Sequence, residues 1–402
     1  MASFRKLKSG WQYRISYKLN GEYKEKSETG FKTKAEAKIA AAEIETQIKH
    51  GAKIDKSDML FPVYMRNWYE TFRKGKKSER NDEDLERSVK FAEKYFSCVK
   101  MKELDRMTYQ KALNEYGETH ATASVSKRHI YMKACIQDAI QEGVIFKDPT
   151  YKAIIVGKKA GKEDEEKYIG FDDAQKIGAY FLKGIDDFEY ISRHMILFAL
   201  ATGCRLGEVY ALTWDRITFD RDKKTKEIKS GTVHIKRSWD YRYGHAGKFI
   251  PTKNKASIRS ITIDKTTAQW LDKLHTQQGE YFLKNGLREK WQKTPFVFVN
   301  KRLEKVTDNA INKALKRACK KFGATEITYH GLRHTHASIL LYKKIDIGYV
   351  SRRLGHSSIN TTYKVYTHII DELAQRDSKA AMRVADDLFQ RADQQTVAAI
   401  NK

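Results

Sequence analysis

Cysteine is scarce in this chain of 402 residues: Cys98, Cys135, Cys204 and Cys319 are the only four, and none form a CxxC pair. That spacing excludes a disulfide framework and a thiolate zinc site, and a reducing cytoplasm is the compartment it suggests. Long apolar runs are missing too. No stretch of about 18 or more apolar residues occurs, so neither a membrane-spanning helix nor a membrane partner is expected. The opening MASFRKLKSGW lacks the apolar stretch of a secretion signal. Acidic charge is also short: 51 Asp and Glu stand against 77 Lys and Arg, a formal net charge of +26. Such an excess attracts polyanions by releasing their counterions. The basic residues are spread through every segment rather than set opposite one wide apolar face. That distribution favours nucleic acid over a membrane surface.

What is present can fold. Hydrophobic residues make up 41% and aromatics 11%, enough to bury cores. The length suggests roughly two to four domains. Residues 1–55 read as a small sheet plus a helix. SFRKL is a short strand, Ser9-Gly10 a turn, and WQYRISYK alternates. Trp11, Tyr13, Ile15 and Tyr17 share one face; Gln12, Arg14, Ser16 and Lys18 share the other. Asn20-Gly21 signals a hairpin into a third strand, EYKEKSE. Thr33 and Glu36 form a capping box, a helix follows from Lys34 to Lys49, and Gly51 can end it. A sheet of this kind can enter a major groove with Arg14 and Lys18 outward, or it can be an ordinary module with a solvated face.

Residues 58–156 read as all-helical. In SVSKRHIYMKACIQDAIQEGVI, the residues Val125, Met132, Ile136, Ala139 and Ile140 share one helix face. Lys127, Arg128 and Lys133 lie off that face and are candidates for phosphate contacts. Residues 157–167, GKKAGKEDEEK, carry almost nothing apolar and read as a linker. A third domain, 168–402, starts near Tyr168. Within it Phe171-Asp172-Asp173 opens a helix, and ISRHMILFALATG is a buried helix stopped by Gly203. Strands run from about 231 to 264 and helices fill most of the rest. The tail DELAQRDSKAAMRVADDLFQRADQQ reads as an amphipathic helix, with Leu373, Met382, Val384, Ala385, Leu388 and Phe389 on its apolar side. The fold class is mainly α and multidomain, with two small sheets.

Four segments of the third domain carry chemistry-bearing residues at regular offsets. ATGCRLGEVYALTW places Arg205 after a helix-ending glycine and Glu208 three residues on. PTKNKASIRSITI holds Lys253 and Lys255 in a turn before a strand. YHGLRHTHAS sets His330 and Arg333 at i and i+3. LGHSSINTTYKVYTH has His356, then Tyr366 ten residues later. Together they resemble the tyrosine recombinase, or phage integrase, family. Its pattern is an arginine in G-x-R-x-x-E, a hairpin lysine, H-x-x-R, L-G-H, and a tyrosine just before a histidine. The resemblance is strong over residues 168–370. More weakly, the helices of 58–155 look like the family's core-binding domain, and the first 50 residues like the arm-binding domain of integrases from phages and conjugative elements.

The chemistry justifies each residue type. Opening a phosphodiester without metal needs a nucleophile, charge stabilisation and an acid for the leaving group. Arg205 and Arg333 match the family's two arginines, whose charged planar forks can hold phosphate oxygens. Glu208 would orient Arg205 from behind. Tyr366 matches the nucleophile, and His330 is the candidate base for its proton. Lys253 matches the leaving-group acid, with Lys255 the alternative on the same turn, and His356 would hydrogen-bond the phosphate. The resemblance implies a 3′-phosphotyrosyl intermediate, a free 5′ hydroxyl, and no cofactor, ATP or metal. Three histidines, His330, His334 and His336, lack Cys or acidic companions at ligand spacing, so His334 and His336 are expected to be structural. Tyr363 competes with Tyr366 as nucleophile but stands where the family is usually apolar, and is expected to be packed.

The resemblance further implies partners. These are double-stranded DNA with core-type and arm-type sites, a homotetramer in which the tail docks on a neighbouring subunit, and an excisionase or host DNA-bending protein, in the cytoplasm of a bacterial host. Two other readings share parts of the pattern. A type IB topoisomerase would only relax supercoils, and a catalytically silent regulator would bind DNA without a covalent adduct. The arm-like segment and H-x-x-R favour the recombinase over the first, and the complete residue set disfavours the second.

Overall fold

The computed structural model describes residues 2–19, 22–49, 54–159, 168–241 and 247–367, together with Ser378 and Met382. The expected turn at Asn20-Gly21, the stop at Gly51 and most of the linker therefore lie outside the described residues. So does the amphipathic tail helix, apart from Ser378 and Met382. The chain divides into two units, Met1–Gly161 and Lys162–Lys402.

In the first unit β1 (Ala2–Leu7), β2 (Gly10–Leu19) and β3 (Glu22–Phe31) form an antiparallel sheet in that order. The period-two pattern of β2 decides its faces. Tyr13 and Ile15 are buried with Ala41 of helix α1 (Lys34–Lys49), while Arg14, Ser16 and Lys18 are exposed. Thr33 Oγ1 accepts from the Glu36 N–H at 3.1 Å, capping α1. The Glu36 carboxylate reaches back to the N–H of Lys32 at 2.9 Å, one residue earlier than a capping box requires.

After the single turn α2 (Ile54–Ser57) come α3 (Phe61–Trp68), α4 (Glu79–Tyr95), α5 (Arg106–Thr119) and α6 (Thr122–Gln141). The apolar face of α6 is buried as its spacing predicts. Val125, Met132, Ile136 and Ala139 join one cluster with Phe61, Met65, Leu85 and Leu113, and Ile140 packs at its edge. Arg128 corrects the expectation of a phosphate contact. It is only 4% exposed, its Nη1 donates to the Asp84 carbonyl at 2.8 Å, and its Nη2 lies 3.8 Å from the Asp84 carboxylate. A guanidinium so placed ties α6 to α4. Helical spacing showed that Arg128 left the apolar stripe, but not that α4 covers that side.

The second unit opens with α7 (Phe171–Leu182), α8 (Ile191–Thr202) and α9 (Leu206–Tyr210). Then follow β4 (Ile217–Arg221), β5 (Ile228–Ile235), β6 (Ser238–Trp239), β7 (Phe249–Ile250) and β8 (Arg259–Ile263). Helices α10 (Lys265–Lys284), α11 (Arg288–Lys293), α12 (Asp308–Phe322), α13 (Tyr329–Tyr342) and α14 (Ile347–Leu354) complete it, and residues 359–367 are helical. Strands β4, β5 and β8 make an antiparallel sheet in that order, and β6 and β7 a short ribbon. Strand β4 lies outside the span expected to be strands; it pairs Ile217 with Val233 of β5. Helix α8 is apolar nearly all round and sits at the centre, with Met195, Ile196, Phe198 and Ala199 buried against α7, α12 and α13. No described helix is long and apolar enough to cross a membrane.

Candidate active site

Two helix ends build the cationic part of the site. Gly203 stops α8 at φ 67°. A residue with a Cβ would be strained there, and the Cβ would meet side-chain atoms of His336 and Leu354 at 2.8 Å. The turn leaves the Gly203 carbonyl free, and Arg333 Nη1, from α13, donates to it at 2.9 Å. Helix α14 ends likewise at Gly355, φ 71°. There Arg333 Nη2 donates to the Leu354 carbonyl at 2.7 Å, and Arg205 Nη2 to the Gly355 carbonyl at 3.2 Å. Helix C-termini carry partial negative charge and orphan carbonyls, so they suit guanidinium groups. Burial and the neighbouring charge of Arg205 pull Arg333 down to about 10, which leaves it cationic at neutral pH.

Behind Arg205 lies a buried carboxylate. Glu208 is 3% exposed; its Oε1 accepts from Arg205 Nη1 at 2.9 Å and from Arg259 Nη1 at 3.1 Å. Its Oε2 accepts from Arg259 Nη2 at 2.9 Å and from the Arg205 N–H at 3.0 Å. Burial pushes the carboxyl up, but the charges and hydrogen bonds of Arg259 and Arg205 outweigh it and hold Glu208 below the usual carboxylate range. Arg259 opens β8, and its Nε donates to the Arg353 carbonyl at 2.6 Å. Sequence reasoning passed over Arg259. A strand arginine carries no local sign that it will meet a glutamate fifty-one residues away.

Lys253 and Lys255 are both exposed between β7 and β8. The charge of Lys253 acts on His330, whereas Lys255 starts a short turn capped by Asn254. His330 stands at the surface of α13. The protein around it, then the charges of Arg333, Arg205 and Lys253, hold its pKa below the ordinary value. His356 Nδ1 lies 2.6 Å from Thr362 Oγ1. Burial and the charges of Arg333, Arg205 and Arg259 bring His356 down to about 4, so its ring is neutral at pH 7.

Tyr366 is 2% exposed, packed with Ala337, Leu341, Val350 and Leu354. Burial raises its pKa and Arg333 pulls it back. The phenol oxygen lies 3.1 Å from Nδ1 of His334. His334, expected to be structural, thus touches the phenol. His336 does have a structural setting. Its Nδ1 is 2.7 Å from the Leu200 carbonyl, Arg353 Nε donates to its Nε2 at 3.0 Å, and burial pushes it down to about 3. Tyr363 is 48% exposed, the reverse of the packing expected for it. In the helix of residues 359–367 the two tyrosines are three apart, and the face toward α13 and α14 is taken by Tyr366. Among the described residues, no group of three or more His, Cys, Asp or Glu is arranged to hold a metal.

Residues 167–372 match the model of the phage integrase family, and residues 3–48 match that of an arm DNA-binding domain. The chain belongs to the phage integrase family. It is a tyrosine recombinase, an enzyme that cuts and rejoins DNA at specific sites independently of metals and ATP. It is 26% identical over 372 residues to a XerC-like tyrosine recombinase of Caldanaerobacter subterraneus, covering 89% of this chain and 90% of the relative. To the integrase of Staphylococcus phage L54a it is 26% identical over 291 residues, 68% of this chain and 78% of the relative. To the ICEBs1 integrase of Bacillus subtilis it is 30% identical over 191 residues, 47% and 48% of the two chains. Among solved structures it resembles the Tn1549 transposon integrase in complex with transposon right end DNA, with TM-score 0.60 at 14% identity, covering 80% and 99%. It also resembles the XerH site-specific recombinase bound to palindromic difH substrate, with TM-score 0.52 at 16% identity, covering 82% and 97%. At these identities the structural likeness establishes the fold.

The recombinase's other predicted DNA contacts lie in its first unit. Arg14 is exposed on β2 with its Nη1 3.6 Å from Glu25, and the Lys18 ammonium stands 5.8 Å from the centre of the Tyr23 ring. Lys127 pairs with Asp84 at 3.0 Å while remaining half exposed, and Lys133 is exposed.

Proposed function

We propose that this recombinase integrates and excises a mobile element through a 3′-phosphotyrosyl intermediate formed on Tyr366. The observation that carries the reading is the pair of guanidinium groups, Arg205 and Arg333, held at one pair of helix ends, with the Tyr366 phenol on the helix that follows. Attack on the scissile phosphorus puts extra negative charge on its non-bridging oxygens. Two fixed guanidinium groups stabilise that charge, and removing one such donor costs about 10²–10³ in rate. Glu208 and Arg259 keep Arg205 aimed. Neutral His356 and His330 offer hydrogen bonds to the same oxygens, and the Lys253 ammonium protonates the departing 5′ oxygen. The phosphotyrosyl bond conserves the energy needed for religation.

Residues 1–55 bind arm-type sites with Arg14 and Lys18, while 58–156 and 168–402 bind the core site, Lys127 and Lys133 contributing phosphate contacts. The arm-domain match supports a mobile-element integrase. In this reading it acts as a tetramer, aided by an excisionase or a host DNA-bending protein, in the cytoplasm of a bacterial host. The test uses duplex DNA from the junction beside the recombinase's own gene, nicked so that the cleaved fragment escapes. A covalent protein–DNA band on a denaturing gel should form with the native protein and vanish with Tyr366→Phe, whose site binding persists. A band that survives in Tyr366→Phe refutes the assignment.

A further inference from the structure

The phenol that attacks phosphorus must lose its proton, and the surroundings of Tyr366 limit where that proton can go. The side chain is 2% exposed and walled by Ala337, Leu341, Val350 and Leu354, so bulk water is not at hand to take it. Other titratable groups of the site are held elsewhere by their own contacts. Glu208 is engaged by Arg259 and Arg205, and His356 Nδ1 by Thr362. His330 faces the cations Arg333, Arg205 and Lys253, the neighbourhood of a bound phosphate. One ring nitrogen does reach the reacting atom: His334 Nδ1, 3.1 Å from the phenol oxygen. His334 follows Arg333 directly on α13 and lies one helical turn beyond His330, whose ring stands edge-on to it with centroids 5.0 Å apart. One short stretch of helix therefore sets a phosphate-binding arginine and a proton acceptor side by side.

Resting on the reading of Tyr366 as nucleophile, we infer that His334 is a further catalytic residue, the group that takes the phenol proton in the forward step and returns it in religation. In the forward step the Tyr366 O–H proton passes to His334 Nδ1, the ring having its own proton on Nε2. The phenol oxygen bonds to phosphorus, the bond to the 5′ oxygen breaks, and Lys253 supplies the proton for that oxygen. Religation runs the same transfers backward, with the His334 imidazolium protonating the departing phenolate. No oxidant, metal or co-reactant enters.

The decisive substitution is His334→Asn, which keeps a hydrogen-bonding atom near the Nδ1 position but cannot accept a proton. Full-length variants are assayed in single turnover on the nicked junction duplex, once with the natural phosphodiester and once with sulfur in place of the bridging 5′ oxygen. Sulfur leaves without an acid, so it relieves a missing acid and not a missing base. Loss of a base costs about 10²–10⁴-fold. His334→Asn is expected to bind DNA and melt as the native protein does, and to form adduct at least about 100-fold more slowly on both substrates. Lys253→Ala should be slow only on the oxygen substrate, and added imidazole should restore part of the rate of His334→Gly. Near-native rates in His334→Asn overturn the inference, as does recovery of that variant on the sulfur substrate. A loss explained by a lowered melting temperature and untouched by imidazole makes the residue structural and also overturns it. An adduct that survives Tyr366→Phe overturns the nucleophile assignment itself. Adduct lost in Tyr366→Phe yet undiminished in His334→Asn overturns this inference alone.

Discussion

Replacing Glu208 by glutamine removes one negative charge from between Arg205 and Arg259 while leaving the shape of the side chain almost unchanged. The carboxylate is 3% exposed, and the side chains of Arg259 and Arg205 are 6% and 24% exposed, so water can replace little of what is lost. Breaking a buried ion pair by removing one partner costs about 3–5 kcal/mol, because the remaining charge stays buried without compensation. The amide oxygen still accepts one hydrogen bond, which argues for the lower end, roughly 3 kcal/mol. In a unit of this size each kcal/mol lowers the melting temperature by roughly 2–4 °C, so a fall of about 6–12 °C is expected. Circular dichroism melting curves measure it. Arg259→Met alone should cost a similar amount, for the mirror-image reason. The double variant Glu208→Leu, Arg259→Met should regain much of the stability, since both charges then leave together. Adduct formation should not recover with it. Arg205 will have lost its anchor, and a misplacement of about 1 Å in such a site can cost 10²-fold. A Glu208→Gln protein that melts within a degree of the native one refutes the reasoning, as does a double variant as active as wild type.

Further outcomes follow from particular side chains. Arg128→Ala should lower stability by about 1.5–3 kcal/mol through its lost bonds to Asp84, with the salt dependence of DNA binding unchanged. Lys133→Ala should leave melting alone and reduce the salt slope by about one phosphate contact; a filter-binding salt titration of both variants separates the two. Acid should unfold the second unit earlier than its carboxylates alone demand. His356, His336 and His194 sit at about 4, 3 and 4 in the folded state against an ordinary 6.5, so they bind protons more readily once unfolded. Their contribution is complete above pH 6.5 and is lost as pH falls from there toward 4, and toward 3 for His336; urea midpoints that stay level between pH 7 and 4 refute it. Lastly, Lys253→Ala should slow cleavage of the oxygen substrate while Lys255→Ala keeps the native rate, and the reverse result would move the acid two residues along the turn.

Local chemistry made much of this protein legible. Alternation set the faces of β2, with Tyr13 and Ile15 inside and Arg14 and Lys18 outside. Thr33 and Glu36 marked the start of α1, and Gly203 the end of α8, because a cap or a positive φ needs only its own neighbourhood. Strand β4 was missed for the opposite reason. ITFDR is five residues long, and what makes it a strand is its pairing with β5.

The sequence by itself determined the family and its ordered set of Arg205, Glu208, Lys253, His330, Arg333, His356 and Tyr366, since residue types at characteristic intervals survive without any knowledge of packing. Only the tertiary structure decided what surrounds them. It buried Arg128 against α4 and left Tyr363 in solvent while packing Tyr366. It brought Arg259 to Glu208 from another element and set His334 against the phenol. Each of these depends on contacts between segments tens of residues apart. A one-dimensional pattern records which face of an element a side chain occupies, and is silent on which other element will close over that face.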